Sequence, residues 1–87
     1  MRGTLVIARD YSGSALVRRV WDRSRRLVYL SDEGQFQQLS TGGEGFTPVG
    51  FPAEDVFVYD PALAGEIANG SVDWSSLRRF TALSRQD

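Results

Sequence analysis

A run of arginines around one turn is the sharpest chemical feature of the sequence. Two aromatic side chains alternate with them, and the set is Arg18, Arg19, Trp21, Arg23, Arg25, Arg26 and Tyr29. Guanidinium groups bind phosphates and aromatic rings stack on bases, so the pattern is typical of an RNA- or DNA-binding surface. A structural interpretation competes with this one: Arg18 stacks on Tyr29 across a hairpin, and water solvates the arginines of the turn. The acidic pI of about 5.3 favours the structural interpretation.

The residues that most often carry catalysis are missing. The chain has no histidine, cysteine or lysine, so no serine has a basic neighbour of these types to activate it. The same absence excludes disulfides and thiolate metal sites. The glycine-rich segment Gly42-Gly43-Glu44-Gly45 lacks the lysine and the helix start of a phosphate-binding loop. We therefore expect no enzymatic activity and no cofactor.

Two pairs of adjacent carboxylates, Asp32-Glu33 and Glu54-Asp55, are the remaining candidates for acid–base or metal chemistry. Neighbouring residues on a strand point to opposite faces, so neither pair converges by itself. Asp32-Glu33 is explained as turn chemistry and Glu54-Asp55 as the entry to a strand. We expect no metal site at either pair.

Charge is distributed unevenly along the 87 residues. Residues 1–26 carry a balance of +5, residues 27–66 a balance of −7, and the rest +1. Such asymmetry indicates either a basic binding face or pairing between basic and acidic segments, within one chain or between two copies. Both alternatives remain open from the sequence.

The elements that must position these residues are mostly strands. β-branched and aromatic content predicts five of them, at residues 4–9, 14–21, 26–31, 35–39 and 55–59. Turn residues at 10–13 and 22–25 separate the first three, and Asp32-Glu33-Gly34 is predicted as a hairpin loop before the fourth. The glycines of residues 40–50 predict a mobile loop.

Helical signals follow the last strand. Asp60 and Pro61 suit the start of a helix, Leu63 and Ile67 share a face, and Asn69-Gly70 predicts its end. A second short helix is predicted from Asp73 to about Phe80. We expect Trp74 to pack on the sheet, although Trp74 and Phe80 also suit an exposed anchor for a partner.

The predicted strand pairing leaves both faces of the sheet largely apolar. With Trp21 opposite Arg26 and Leu30 opposite Phe36, one face carries Val17, Trp21, Val28, Leu30 and Phe36, and the other carries Leu16, Val20, Leu27, Tyr29 and Leu39. When one face of a sheet is exposed to solvent, apolar and polar residues alternate more regularly along its strands. We therefore expect curling of the sheet to cover one face, and the C-terminal helices or a second copy to cover the other.

The segment Gly50-Phe51-Pro52-Ala53-Glu54-Asp55-Val56-Phe57-Val58 resembles the 3₁₀ turn and final strand of SH3-like small β-barrels. The resemblance covers roughly residues 3–60 and implies an architecture only. The acidic loop and aromatic peptide-binding motif of eukaryotic SH3 domains are absent from this sequence. The tryptophan that follows the second loop of those domains has no counterpart either, because Trp21 precedes its turn. The resemblance therefore implies no binding residue in this chain.

The sequence thus predicts one mostly β (α+β) domain: a five-stranded curled antiparallel sheet or SH3-like barrel over residues 3–59, and a helical segment over residues 60–80. We expect a non-catalytic protein–protein interaction or accessory module, whose partner is another protein or a second copy of the chain. RNA or DNA binding through Arg18–Arg26 is the alternative. Residues 5–8 form an apolar stretch too short for a signal peptide or a membrane span, which predicts a cytoplasmic protein.

Overall fold

Five antiparallel strands form a single sheet. The structure is a computed structural model that describes residues 2–43, 45 and 47–80. The strands are β1 (Leu5–Arg9), β2 (Ala15–Arg23), β3 (Leu27–Ser31), β4 (Val49–Pro52) and β5 (Val56–Val58). Their order in the sheet is β4-β3-β2-β1-β5. The predicted mostly β (α+β) class with a five-stranded antiparallel sheet is confirmed, and in the described part of the chain β4 and β5 do not pair to close it into a barrel.

The prediction of a fourth strand at residues 35–39 is wrong, because this segment lies in the helix α1 (Glu33–Ser40). Asp32 is its N-cap: the Asp32 carboxylate accepts a hydrogen bond from the backbone N–H of Gln35 at 2.8 Å. The Gln35 side chain accepts one in return from the Asp32 N–H at 3.3 Å. This reciprocal capping box satisfies backbone donors at the start of the helix, so Asp32-Glu33-Gly34 begins a helix and forms no hairpin.

The true β4 comes from the end of the segment predicted as a mobile loop. Gly50 pairs with Tyr29 of β3. A Cβ atom at Gly50 would lie 3.1 Å from a ring carbon of Tyr29, so a side chain at this position would require the ring to shift by a few tenths of an ångström. Glu44 and Phe46, which precede β4 in the sequence, lie outside the described residues.

A bulge at Trp21 changes the predicted register between β2 and β3. Val20 pairs with Leu30, but Asp22 pairs with Tyr29, so β2 holds one extra residue at this point. Trp21 is therefore not opposite Arg26. Val20, Val28 and Leu30 share one face, in contrast to the predicted pairing that placed Val20 on the other.

The inner face of the sheet holds the hydrophobic core. The buried cluster consists of Val6, Ala8, Val20, Val28, Leu30, Val56 and Phe80. Phe80 reaches it because the two residues before it run beside β5: Arg79 bridges Phe57, and the Val58 N–H donates to the Arg78 carbonyl at 2.8 Å. The C-terminal segment therefore completes the core and also covers one edge of the sheet.

The outer face is covered from two sides. Ile7 and Phe57 are buried on it, and Trp74 packs on Phe57 with ring centroids 5.2 Å apart, as the sequence predicted for Trp74. The Arg9 guanidinium lies over both rings and donates to the Asp55 carboxylate at 2.8 Å. At the other end of the face α1 packs on β2, so the cover comes from within the chain.

The helical signals after β5 are confirmed in part. A 3₁₀ turn at Pro61–Leu63 leads into α2 (Ala64–Asn69), with Asp60 capping the start and left-handed Gly70 the end. The predicted second helix is only a 3₁₀ turn at Trp74–Ser76, capped by Asp73. The chain leaves it at Leu77 in extended conformation, because the next residues pair with β5.

Candidate functional site

Trp21, one of the two aromatic residues of the predicted arginine surface, packs against residues of its own chain. Trp21 meets Phe36 of α1 edge-on, with ring centroids 5.7 Å apart. The Arg2 guanidinium lies 4.2 Å from the centroid of the Trp21 ring, and its Nε donates to the Trp21 carbonyl at 2.8 Å. The ring faces α1 on one side and a cation on another, which leaves little of it for a base to stack on.

Arg19 clamps α1 to the sheet. Its Nε donates to the Glu33 carboxylate at 2.8 Å, and its Nη1 donates to the Gly3 carbonyl. Hydrogen bonds from Gln37 and then from Arg19 hold the pKa of Glu33 below its ordinary value, because they stabilise the ionised carboxylate. Arg19 is thus engaged with groups of its own chain.

Arg18 and Tyr29 do not meet, and the predicted stack between them is wrong. Arg18 pairs with Val6 of β1, and its Nη1 donates to the Val17 carbonyl at 2.9 Å. Tyr29 pairs with Asp22 on the other side of β2 and lies half-buried against Gly50. The bulge in β2 is the physical reason, because it shifts the register by one residue beyond Val20.

The remaining arginines of the set lie at or beside the turn between β2 and β3. Arg23 is half-buried at the end of β2 and pairs with Val28. Arg25 and Arg26 are exposed in the turn itself. The seven predicted residues therefore do not form one surface, and the structure places only Arg25 and Arg26 where both side chains face solvent together.

A third arginine joins these two from the far end of the chain. Arg25, Arg26 and Arg79 line one surface depression, together with Glu54 and the apolar side chains of Leu27, Pro52 and Ala53. The Ala53 N–H donates to the Arg26 carbonyl at 2.8 Å, which fixes the 3₁₀ turn Ala53–Asp55 beside the β2–β3 turn. Arg79 arrives through its bridge to Phe57. We call this site the basic depression.

The basic depression has an unbalanced charge. The two ion pairs among the described residues, Arg9–Asp55 and Arg19–Glu33, lie elsewhere. None of Arg25, Arg26 and Arg79 forms an ion pair with a residue that the structure describes, and Glu54 is the one acidic residue in the lining. Three exposed arginines in one lining suit an anionic ligand, because each guanidinium offers a planar fork to a carboxylate or phosphate.

Sequence reasoning missed Arg79. It placed residue 79 at the end of a helix, whereas Arg79 forms a β-bridge with Phe57 of β5. Only a pairing between segments far apart in sequence brings Arg79 to Arg26. The adjacent pair Arg78-Arg79 was the single local signal, and it does not indicate which arginine faces the turn.

The two carboxylate pairs do not converge. Asp32 caps α1, Asp55 binds Arg9, and Glu54 lines the basic depression. Over residues 2–43, 45 and 47–80, no group of three or more acidic side chains lies close enough to hold a metal ion. No helix in the same part of the chain is both long enough and apolar enough to cross a membrane.

No family model, no curated protein and no solved structure matches the chain, so the resemblance to SH3-like barrels stays a prediction.

Proposed function

We propose that the protein is a small non-catalytic protein-binding module, and that its basic depression binds an acidic segment of a partner protein. One observation carries the proposal: three exposed arginines from two distant parts of the chain line a single depression, and no described carboxylate pairs with any of them. Guanidinium groups bind carboxylates in bidentate fashion, and the apolar side chains of Leu27, Pro52 and Ala53 in the same lining can contact the stem of the ligand.

A protein ligand is favoured over RNA or DNA because the depression offers no aromatic ring. Its lining contains arginine, glutamate, leucine, proline and alanine. Trp21 packs against α1 and Tyr29 against Gly50, so the stacking platform that single-stranded nucleic acid requires is missing from this site.

Fluorescence anisotropy with a labelled oligoglutamate peptide tests the proposal. We expect binding at low salt that weakens as salt is added, because exposed charges are screened. The triple variant Arg25→Ala, Arg26→Ala, Arg79→Ala removes three ion pairs of about 0.5 kcal/mol each. Its affinity should therefore fall about tenfold.

Arg78→Ala is the matched control. Arg78 is also an exposed arginine, adjacent in sequence, but it lines a different cavity with Tyr59 and Leu63. We expect its affinity for the peptide to equal that of the unchanged protein. If the triple variant binds as well as the control, the basic depression is not the site.

Single-stranded RNA in the same assay tests the alternative. The proposal requires RNA to bind more weakly than the acidic peptide at equal ionic strength. If RNA binds more tightly through the same arginines, with a log–log salt slope of about −0.7 per phosphate, nucleic-acid binding replaces the proposal.

A further inference from the structure

The turn between β1 and β2 presents one aromatic ring to solvent on a rigid support. The Asp10 carboxylate accepts hydrogen bonds from the Ser12 N–H, the Ser12 hydroxyl and the Ser14 N–H, at 2.9, 2.7 and 2.9 Å. These bonds, the one from the Ser12 hydroxyl foremost, lower the pKa of Asp10. Gly13 takes a positive φ of 85° that closes the turn.

Tyr11 stands at the tip of this braced turn. Its relative exposure is 104%, so the side chain touches almost nothing of its own chain. Tyrosine carries a large apolar area at a low cost in side-chain entropy, and a fixed backbone lowers the cost of ordering it on binding. Tyrosine is also enriched at the energetic centres of protein interfaces. Tyr11 thus has the properties of an anchor residue.

A cleft lies beside Tyr11 on the same end of the molecule. It is formed between the turn that carries Tyr11 and the end of α2, and Ser14, Ile67, Asn69 and Trp74 contribute to its lining. None of the described residues in that lining is charged, although 24% of the chain is. The absence of charged groups lowers the desolvation cost of covering this cleft, and Trp74 adds an aromatic side chain to its lining.

We infer that two copies of the chain associate about a twofold axis, with Tyr11 of each copy bound in this cleft of the other. A twofold interface uses the same patch on both subunits, so the patch must carry both the projecting group and its recess. Tyr11 and the cleft meet this condition because the turn that presents the tyrosine also forms one wall of the cleft. The polar groups of Ser14 and Asn69 offer partners to the tyrosine hydroxyl.

Tyr11 lies far from the arginines of the β2–β3 turn. The β1–β2 turn and the β2–β3 turn lie at opposite ends of β2, which has nine residues. At about 3.3 Å per residue this separates the two turns by about 30 Å. The two sites approach each other only at Trp74 of the cleft and Arg79 of the basic depression, which both line a pocket beside Phe57. Tyr11 and the arginines of the turn can therefore be engaged at once, and a dimer would present two basic depressions to a multivalent acidic partner.

Sedimentation velocity on the full chain over a range of concentrations tests the inference. We expect a reversible dimer at high concentration, because two tyrosine anchors make a small interface typical of weak association. Tyr11→Ala should weaken dimerisation at least tenfold and leave the thermal midpoint unchanged, since the side chain is exposed in the monomer. Val49→Ala is the matched control, because Val49 is the other exposed large apolar side chain in the described residues.

Disulfide trapping gives an independent measurement, since the chain has no cysteine of its own. Equal amounts of Tyr11→Cys and Asn69→Cys proteins are mixed and oxidised. Random collision would make half of all disulfide-linked dimers mixed. We expect the dimer that joins residue 11 to residue 69 to form a larger fraction than this. A mixture of Val49→Cys with Asn69→Cys should give the random proportion.

A protein that remains monomeric near millimolar concentration overturns the inference, and so does a dimer that Tyr11→Ala leaves intact. Neither result affects the basic depression, which is measured separately with the acidic peptide. Conversely, loss of peptide binding in the arginine variants leaves the dimer measurement unchanged.

Discussion

Replacement of Phe80 by alanine tests whether the C-terminal segment is part of the core. Phe80 is 7% exposed and belongs to the buried cluster on the inner face of the sheet. Removing a buried phenylalanine side chain costs about 3–5 kcal/mol, the lost burial plus the cavity left behind. At about 0.05–0.15 kcal/mol per residue, the 87-residue chain has about 4–13 kcal/mol of stability in total. Phe80→Ala should therefore remove about a quarter of it or more.

Urea unfolding followed by tryptophan fluorescence measures this effect. With an m-value of about 1 kcal/mol per molar for a domain of this size, the midpoint should fall by about 3 M or more. Because Phe80→Ala alone could leave too little folded protein to measure, Phe80→Leu is the second variant. It keeps most of the apolar volume and should cost less than about 1.5 kcal/mol.

The control is Arg78→Ala, whose exposed side chain is removed while its carbonyl still accepts from Val58. We expect a change within about 0.5 kcal/mol. If Phe80→Ala unfolds at the same urea concentration as the unchanged protein, the sheet folds without its C-terminal cover. The argument that the inner face needs residues 78–80 would then be refuted.

Three further predictions concern local contacts. Asp32→Ala removes the N-cap of α1 and should cost about 1 kcal/mol in urea unfolding with a loss of far-UV helical signal; an unchanged spectrum and midpoint would contradict the capping role. A double-mutant cycle between Arg9→Ala and Trp74→Ala should give a coupling of about 0.5–1 kcal/mol for a guanidinium 5.2 Å from the ring centroid, and independent effects would contradict that contact. The third prediction concerns pH. The pKa of Asp10 is lowered in the folded state, chiefly by the hydrogen bond from the Ser12 hydroxyl. As the pH falls toward and below about 3.9, the unfolded state therefore binds more protons than the folded state. Stability should therefore drop on acidification through this window, and less steeply in Asp10→Asn; equal urea midpoint profiles from pH 2 to 6 would contradict it.

The capping box shows how a signal present in the sequence can be misread. Asp32 and Gln35 have the spacing of a reciprocal cap, and Glu33 suits the first turn of a helix. The same letters also fit a three-residue hairpin loop with a glycine. Gly34 does not take a positive φ in the structure, so the hairpin interpretation has no support from the backbone.

The candidate site was predicted only in part. Arg25 and Arg26 were found from their place at a turn, where local chemistry decides exposure. The prediction grouped Trp21 and Arg19 with them, whereas the structure shows both side chains in contact with α1: Trp21 meets Phe36 and Arg19 binds Glu33. Neither the bulge in β2 nor the packing of α1 can be predicted from the residues next to it in the sequence.

The sequence by itself determined the strands β1, β2, β3 and β5, the helix start at Asp60 and the helix end at Gly70, because propensities, caps and turns act over a few residues. It also determined that both faces of the sheet need cover, because apolar side chains occur on each. Only the tertiary structure decided what lies over them and which arginine joins the β2–β3 turn. Those contacts join segments far apart in the chain, and their register depends on the whole sheet.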